Sequence, residues 1–389
     1  MTRLTVHEYA AALRPRYKAA KKRVKKRMLD EFCQTTGMHR KAAIRLLARG
    51  TRPAPARRGR PRRYGPEVAE ALVKLWEVGD RMCGKLLAAV LPDLLAALER
   101  HGDLKVSPQV RELLLTISPS TIERLLRRHR VGALRQPGRR SSASTALKSQ
   151  IPIRTWSDWQ DASPGSLQAD LVFHCGESTA GFFLTTLCAV DVATGWTELQ
   201  PVWGMGKQRV CSAIHHVRQR LPFRLDALHT DNGSEFINHI LYPWCREAGI
   251  QFTRGRSYRK NDQAYVEQKN WLTVRRQVGY DRYNSRRALA LLQQLYPLLT
   301  LQTNFFRPLR KLVTKQRLGA KVVKRYDKPR TPYQRLLDAG ILGEPAQAVL
   351  EQQFLAISPA HVQDRIDQLL RELWQEAERP SAREKRKVG

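Results

Sequence analysis

Apolar and polar positions change their period several times along the chain, and each change marks an element. Residues 167–174 (Leu-Gln-Ala-Asp-Leu-Val-Phe-His) and 181–192 are densely apolar over strand-like lengths, with a Gly/Glu/Ser/Thr turn between them. A third strand is predicted over 197–202, after Thr194-Gly195. Helical and strand periods then alternate. The spacing predicts a helix over 207–220, a strand over 225–229, a helix over 238–248, a short strand over 251–253 and a longer helix over 263–278. Three antiparallel strands followed by alternating helices and strands predict a mixed α/β sheet with helices on its faces.

The flanks are helical. Helices are predicted over 27–33 and 38–48, with Thr35-Thr36-Gly37 as the corner and Phe32, Ile44 and Leu47 as a small core. This is the pattern of a helix-turn-helix, and a plain αα-hairpin shares it. Further helices are expected over 67–77, 85–100, 110–114 and 120–129, the last opened by Ser118-Pro119 and carrying Thr121, Ile122, Leu125 and Leu126 at helical spacing. Residues 285–306 are again apolar at helical spacing, and Pro297 is expected to kink or break that helix. Residues 321–326 read as a strand. A last helix aligns Val362, Ile366, Leu369, Leu370 and Leu373 on one face, which reads as local core. The tail from 380 to 389 reads as disordered.

Two segments resist any regular period. Residues 51–64 are rich in Pro, Gly and Arg, and 132–151 in Ser, Gly and Arg. The expected plan is therefore a helix-turn-helix domain (1–50), an Arg/Pro-rich linker (51–64), a second helical domain (65–131), a connector (132–151), an α/β core (152–284) and a basic, helical C-terminal region (285–389).

Charge changes the picture. The 389 residues carry 69 Lys and Arg against 35 Asp and Glu, a net charge of +34. A field of that sign and size points to a polyanionic partner, double-stranded DNA first among them. Residues 1–63 alone hold 20 Lys and Arg against Glu8, Asp30 and Glu31. His39, Arg40, Lys41 and Arg45 are the expected DNA-facing residues of the first module, and Thr121, Arg124 and Arg128 those of the second. Arg58-Gly59-Arg60-Pro61-Arg62 resembles an AT-hook, which lays Arg58, Arg60 and Arg62 into a narrow minor groove; a charged linker has the same composition. Residues 307–330 carry ten Lys and Arg against Asp327. Six scattered cysteines with no Cys-x-x-Cys argue for a reducing compartment, without disulfides or structural zinc. The best apolar run, 86–98, is interrupted by Pro92-Asp93, and the basic N-terminus is followed by no apolar stretch. No membrane association or secretion is expected, and the expected location is cytoplasmic, on the nucleoid.

The candidate chemistry lies in residues 225–271. Leu-Asp-Ala-Leu-His-Thr-Asp231-Asn-Gly is a strand that stops at a carboxylate and an Asn-Gly turn, and Glu267 follows after 35 intervening residues, inside a helix. Asp170 lies in the first strand. Neighbouring strands would bring Asp170 and Asp231 to one edge of the sheet, with Glu267 on the helix packed beside them. Three such acids suit two Mg²⁺ (or Mn²⁺) ions, hard cations that prefer oxygen ligands and serve phosphodiester chemistry. Arg254, Arg256, Arg259 and Lys260 before Glu267, and Lys269 after it, form an expected phosphate track. Trp271 and Val274 are expected to anchor that helix. Asp262 precedes the helix and is set aside as third acid; Asp191 reads as a turn residue, Glu235 as solvent-facing or turn-capping, and His229 as a packed strand residue.

Asp170, His-Thr-Asp231-Asn-Gly-Ser-Glu-Phe and Asn261…Glu267 resemble the D,D-35-E core of retroviral integrases and bacterial insertion-sequence transposases. Asn304-Phe-Phe-Arg-Pro, residues 321–328 and Thr331-Pro-Tyr-Gln-Arg-Leu-Leu resemble the downstream part of one such transposase group. The likeness spans roughly residues 150–340. It implies an RNase H-like core, Asp170, Asp231 and Glu267 as catalytic metal ligands, and strand cleavage that frees a 3′-OH for attack on target DNA. It also implies at least a dimer on DNA, since two element ends must meet. The His/Cys zinc module of retroviral integrases is absent, so end recognition would fall to the helical modules. An inactive DNA-binding regulator and an RNase H-type or junction nuclease are the rival readings.

Overall fold

The computed structural model describes residues 2–49, 63–129, 163–256, 263–319 and 321–378. They fall into two compact units, one within residues 1–63 and one within 64–389. The linker at 51–62, the connector at 132–151, the first residues of the expected core, Arg58, Arg60, Arg62, Arg259, Lys260, Asn261, Asp262 and the 380–389 tail lie outside the described residues.

The smaller unit has three helices, α1 (Arg3–Ala19), α2 (Lys22–Thr36) and α3 (Arg40–Arg49). Only the last two were expected. Helix α1 runs through Pro15 and supplies Val6, Ala10 and Tyr17 to a core closed by Met28, Leu29, Phe32, Ala43 and Leu47. The corner is Gly37 at φ 68°, a left-handed conformation that glycine adopts without a Cβ penalty. Ile44 is not core but 39% exposed; Ala43 fills the interior, where α1 approaches α3.

In the larger unit a five-stranded sheet is built from β1 (Ser166–His174), β2 (Leu184–Asp191), β3 (Thr197–Val202), β4 (Ala227–Thr230) and β5 (Gln251–Arg254). Its order is β3-β2-β1-β4-β5. Strands β1, β2 and β3 are antiparallel, whereas β4 pairs parallel to β1 and β5 parallel to β4. This is the mixed RNase H-like sheet expected from the sequence. Both faces are covered, which explains why β1 and β2 read as nearly continuous apolar runs. Leu167, Ala169 and Leu171 face α8 (Lys207–Arg220) and α9 (Leu241–Glu247). Val172, with the alternate residues of β1, faces α10 (Ala264–Lys269), α11 (Arg276–Val278), α12 (Arg286–Phe306) and α15 (Pro359–Gln375). Helix α12 is continuous through Pro297, contrary to the expected break. Its partners Leu295, Tyr296 and Leu299 are fully buried, and that packing outweighs one lost backbone hydrogen bond.

Helices α4 (Pro66–Val78), α5 (Gly84–Arg100), α6 (Pro108–Leu115) and α7 (Pro119–Leu126) do not close a core of their own. Leu87, Leu91, Leu94 and Leu98 share one cluster with Trp196, Phe305, Tyr333, Leu350 and Ile357. Helices α13 (Pro332–Asp338) and α14 (Glu344–Ala356) complete it. Four short helices offer more apolar surface than they can cover mutually, so the sheet's β2–β3 corner and the C-terminal helices cover the rest. A polar clamp adds to this joint. Between α4 and α5, Asp80 and Arg81 both have φ 53°, and the Asp80 carboxylate receives Arg276 of α11 (3.2 Å) and Arg307.

Between α12 and α13 the chain forms a hairpin of β6 (Leu312–Leu318) and β7 (Lys321–Tyr326), with an irregularity between Leu312 and Thr314. The strand expected at 321–326 is present, and it has a partner that the hydrophobic pattern did not announce.

Candidate active site

Parallel pairing of β1 with β4 sets Ala169 beside Thr230. One step further along the same register sets Asp170 beside Asp231. Register neighbours on parallel strands present their side chains to the same face, here the one covered by α10 and α12. Asp170 is 3% exposed, whereas Asp231 is half-buried at the open end of β4. The Asp231 Oδ1 accepts the Gly233 amide (2.9 Å), so the Asn-Gly turn folds back over the carboxylate it follows. Asn232 bridges on to β5, donating to the Gly255 carbonyl (2.8 Å) and accepting from Arg254 (3.0 Å).

Helix α10 is sewn to the same face of β1 at two points. The Val266 amide donates to Gln168 Oε1 (3.3 Å), and Asn270 Nδ2 donates to Asp170 Oδ2 (2.7 Å). Asn270 stands three residues after Glu267, and residues so spaced share a helix face, so Glu267 is turned toward the Asp170 row. Glu267 is half-buried. Neither Gln168 nor Asn270 stood out in the sequence; the position of Asn270, one turn beyond Glu267, was the available signal. From Asn270 to Arg275 the helix widens into a π-helical stretch, a form that concentrates at functional sites. The widening also changes which residues reach the core. Val274 and Val278 are fully buried, but Trp271, expected as an anchor, is 43% exposed.

Among the described residues no group of three His, Cys, Asp or Glu side chains lies close enough to hold a metal ion. Asp170 and Asp231 are brought together by the strands, and Glu267 is held on the adjoining helix without closing a three-acid cluster with them. The donor set nevertheless suits a hard cation: it is oxygen-only, and the carbonyl oxygen of Asn270 is buried with no hydrogen-bond partner. A buried acceptor left open beside a carboxylate is what a cation would satisfy.

Lys269 departs from its expected role. It is 7% exposed and buried toward β2, where desolvation lowers its pKa to about 8 despite the opposing influence of Cys188. The ammonium faces the interior, because Lys269 lies on the side of α10 away from solvent, and it is not on a surface track. Arg254 is half-buried and Arg256 exposed. In the second helical segment Arg124 and Arg128 are exposed, while the Thr121 amide and hydroxyl engage Ser118 at the start of α7. In the small unit His39, Arg40, Lys41 and Arg45 are all exposed around the start of α3, with Arg40 paired to Asp30. The residues set aside earlier behave as packing groups. Asp191 accepts from Gly165 and Thr194 at the β2–β3 corner, His229 is buried beside Thr253, and Glu235 is half-buried against Gly233.

The integrase core domain family matches residues 160–260, a span that contains Asp170 and Asp231 and ends before Glu267. The protein y4rM of Sinorhizobium fredii (strain NBRC 101917 / NGR234), described as uncharacterized, is 46% identical over 328 residues, 84% of this chain and 94% of that one. The chain belongs to the integrase-core family. Proteins of this family are polynucleotidyl transferases as a class and generally use divalent metal ions. Among solved structures, the catalytic core domain of BIV integrase is 22% identical and is covered over 95% of its length, 45% of this chain, with a TM-score of 0.29. The fold of this integrase-core chain rests on its own strand order. No helix among its described residues is long and apolar enough to cross a membrane.

Proposed function

We propose that this integrase-core chain is a DNA transposase that binds the terminal inverted repeats of its element, cuts there, and joins the freed 3′-OH to target DNA. The observation that carries the reading is the parallel register whose last pair, Ala169 and Thr230, immediately precedes Asp170 and Asp231, with the helix of Glu267 tied to Asp170 through Asn270. Asp170, Asp231 and Glu267 would hold two Mg²⁺ or Mn²⁺ ions. What those ions supply is stabilisation of charge on the attacking and leaving oxygens of a phosphodiester. Asn270 holds one oxygen of Asp170 and the Leu171 amide the other (2.9 Å), which together set the plane of that carboxylate. Arg254 and Arg256, with Arg259 and Lys260, receive the phosphates of the strand being cut.

In the first step a water oxygen bonds to phosphorus and the P–O3′ bond breaks, leaving a 3′-OH and a 5′-phosphate. In the second the 3′-OH bonds to a target phosphorus and displaces a target 3′-oxygen. No protein nucleophile is required. The start of α3, with His39, Arg40, Lys41 and Arg45 exposed, suits the recognition position of a helix-turn-helix. Arg124 and Arg128 after α7, together with the 51–64 segment, would extend the contact, and two copies would bring two ends together.

The test uses duplex oligonucleotides copied from the DNA flanking the coding sequence, with Mg²⁺ or Mn²⁺. Wild type is expected to nick at the repeat end and join it to a second duplex, and Asp231→Asn to bind without either reaction. Full activity of Asp231→Asn removes the proposal. Binding by wild type with no metal-dependent cutting would make the chain a DNA-binding regulator.

A further inference from the structure

The cations given a place in the proposed function all lie outside the β6–β7 hairpin. Its fifteen residues, 312–326, contain Lys315, Arg317, Lys321, Lys324 and Arg325 and no acid. Thr314, Gln316, Arg317, Val322, Lys324 and Arg325 are all exposed, so neither face of the ribbon is covered. Val313 at 64%, Val322 at 45% and Tyr326 at 43% are among the more exposed large apolar side chains described. A bare two-stranded hairpin is marginal in water.

Stability is supplied at the base instead. The Lys311 ammonium donates to the carbonyls of Val192 (2.6 Å) and Ala193, in the β2–β3 corner of the catalytic sheet. Asp327 accepts the Lys311 amide (2.6 Å) and pairs with Arg335 of α13 (2.7 Å). Leu309 and Arg330 close the neck with a two-way backbone bridge, and Leu309 seats against Gly195. A rigid mount below an exposed, cationic ribbon describes an element that is completed by an anion. Seven residues of strand reach roughly 20 Å, more than twice the roughly 8.5 Å depth of the DNA major groove, so the ribbon can enter it with residues to spare.

We infer that β6–β7 is a DNA-binding ribbon that enters the major groove of duplex DNA, with the face shared by Val322, Arg317 and Lys324 toward the bases, Arg317 and Lys324 reaching from it to flanking phosphates, and Arg325 reaching a phosphate from the other face. The major groove admits a two-stranded ribbon as it admits a helix. The inference rests on the reading of this chain as a DNA-binding protein, and it is independent of whether the chain cuts. It adds a contact within the catalytic unit itself, apart from the modules upstream.

The experiment measures binding of the full chain to a labelled 30-bp duplex by fluorescence anisotropy in EDTA, across a salt series. The triple variant Arg317→Ala/Lys324→Ala/Arg325→Ala is expected to bind about tenfold more weakly or worse. The slope of log K against log salt is expected to shrink by about 2 to 3, near 0.9 for each phosphate that is no longer neutralised. All three side chains are exposed, so the fold is expected to survive, and circular dichroism checks it. A photo-crosslinking p-benzoylphenylalanine at Val322 is expected to label the DNA. Wild-type affinity and slope in the triple variant overturn the inference. So does crosslinking at Val322 to a second copy of the chain in place of DNA. EDTA prevents any metal-dependent cutting during the measurement, so that failure of the catalytic reading leaves this measurement intact.

Discussion

Asn270 offers the sharpest test of how the site is held. Its amide nitrogen lies 2.7 Å from Asp170 Oδ2, and Asp170 is 3% exposed. Asn270→Ala removes a hydrogen bond to a charged group in a buried setting, worth about 1.5–3 kcal/mol. It also removes the unpartnered carbonyl oxygen, which returns about 1 kcal/mol of that loss. The net effect on folding is therefore small, about 1 kcal/mol. The effect on chemistry is larger, because loss of a partner that orients a metal-ligating carboxylate typically lowers metal affinity or activity by about 10- to 100-fold. Single-turnover nicking over a Mn²⁺ titration measures both. The expected result is a curve displaced to higher Mn²⁺ and a lower plateau, with urea unfolding nearly unchanged. Asn270→Asp is expected to behave differently. It puts a second carboxylate against Asp170 Oδ2, and the two repel, so its activity should fall and then recover in part as metal is raised. Wild-type kinetics in Asn270→Ala at every Mn²⁺ concentration would refute the view that this amide fixes Asp170.

Other outcomes are expected elsewhere. Asp80→Asn keeps a residue that tolerates φ 53° but leaves Arg307, 8% exposed and with its pKa lowered by burial to about 10, without a counter-charge. Urea unfolding should show a loss of about 3–5 kcal/mol, and Arg307→Met in the same chain should recover part of it; additivity of the two would contradict the pairing. Burial, with Arg275 nearby, holds His174 neutral down to about pH 3, against an ordinary value of 6.5. The unfolded chain binds that proton first, so stability should be complete above pH 6.5 and decline toward pH 3. His174→Gln should flatten that limb of a urea-midpoint series, and an unaltered slope would exclude His174 as its source. Gly195 has φ 78°, and a Cβ there would collide with Leu309 Cδ2. Gly195→Ala should destabilise the chain by more than about 1 kcal/mol and speed proteolysis within residues 307–330; a wild-type digestion pattern would show that the neck does not depend on this contact.

The sheet was largely legible because its strands are short, dense in apolar residues and punctuated by Gly and Asn-Gly turns. Asp170 and Asp231 could be proposed as neighbours for the same reason: each interrupts an apolar run, and only strand register is needed to join them. What the sequence hid depends on contacts between distant segments. Nothing near Asp80 announces Arg276 or Arg307, and no period reveals that α4–α7 share their core with Tyr333 and Leu350. Lys269 was misread because a lysine's charge says where it would rather be, while its position on α10 decides where it is. Ile44 was misread because α1, with Pro15 and a weak apolar stripe, was not anticipated, so the face it covers was assigned to the wrong residue. Trp271 followed from assuming an unbroken α-helical period through a stretch that does not keep it.

That stretch separates two tasks along a single helix. Before Asn270 the side chains are phased to the carboxylate row, and after Arg275 they are phased to the core through Val278 and to Asp80 through Arg276. A π-helical stretch holds one residue more than the α-helical winding it replaces, so removing one residue from 270–275 would restore α-helical winding and leave the two halves close to their present phase. The surplus residue thus marks the place where this helix can absorb a single-codon deletion, whereas the same deletion in the α-helical turns on either side would rotate one task against the other by about 100°.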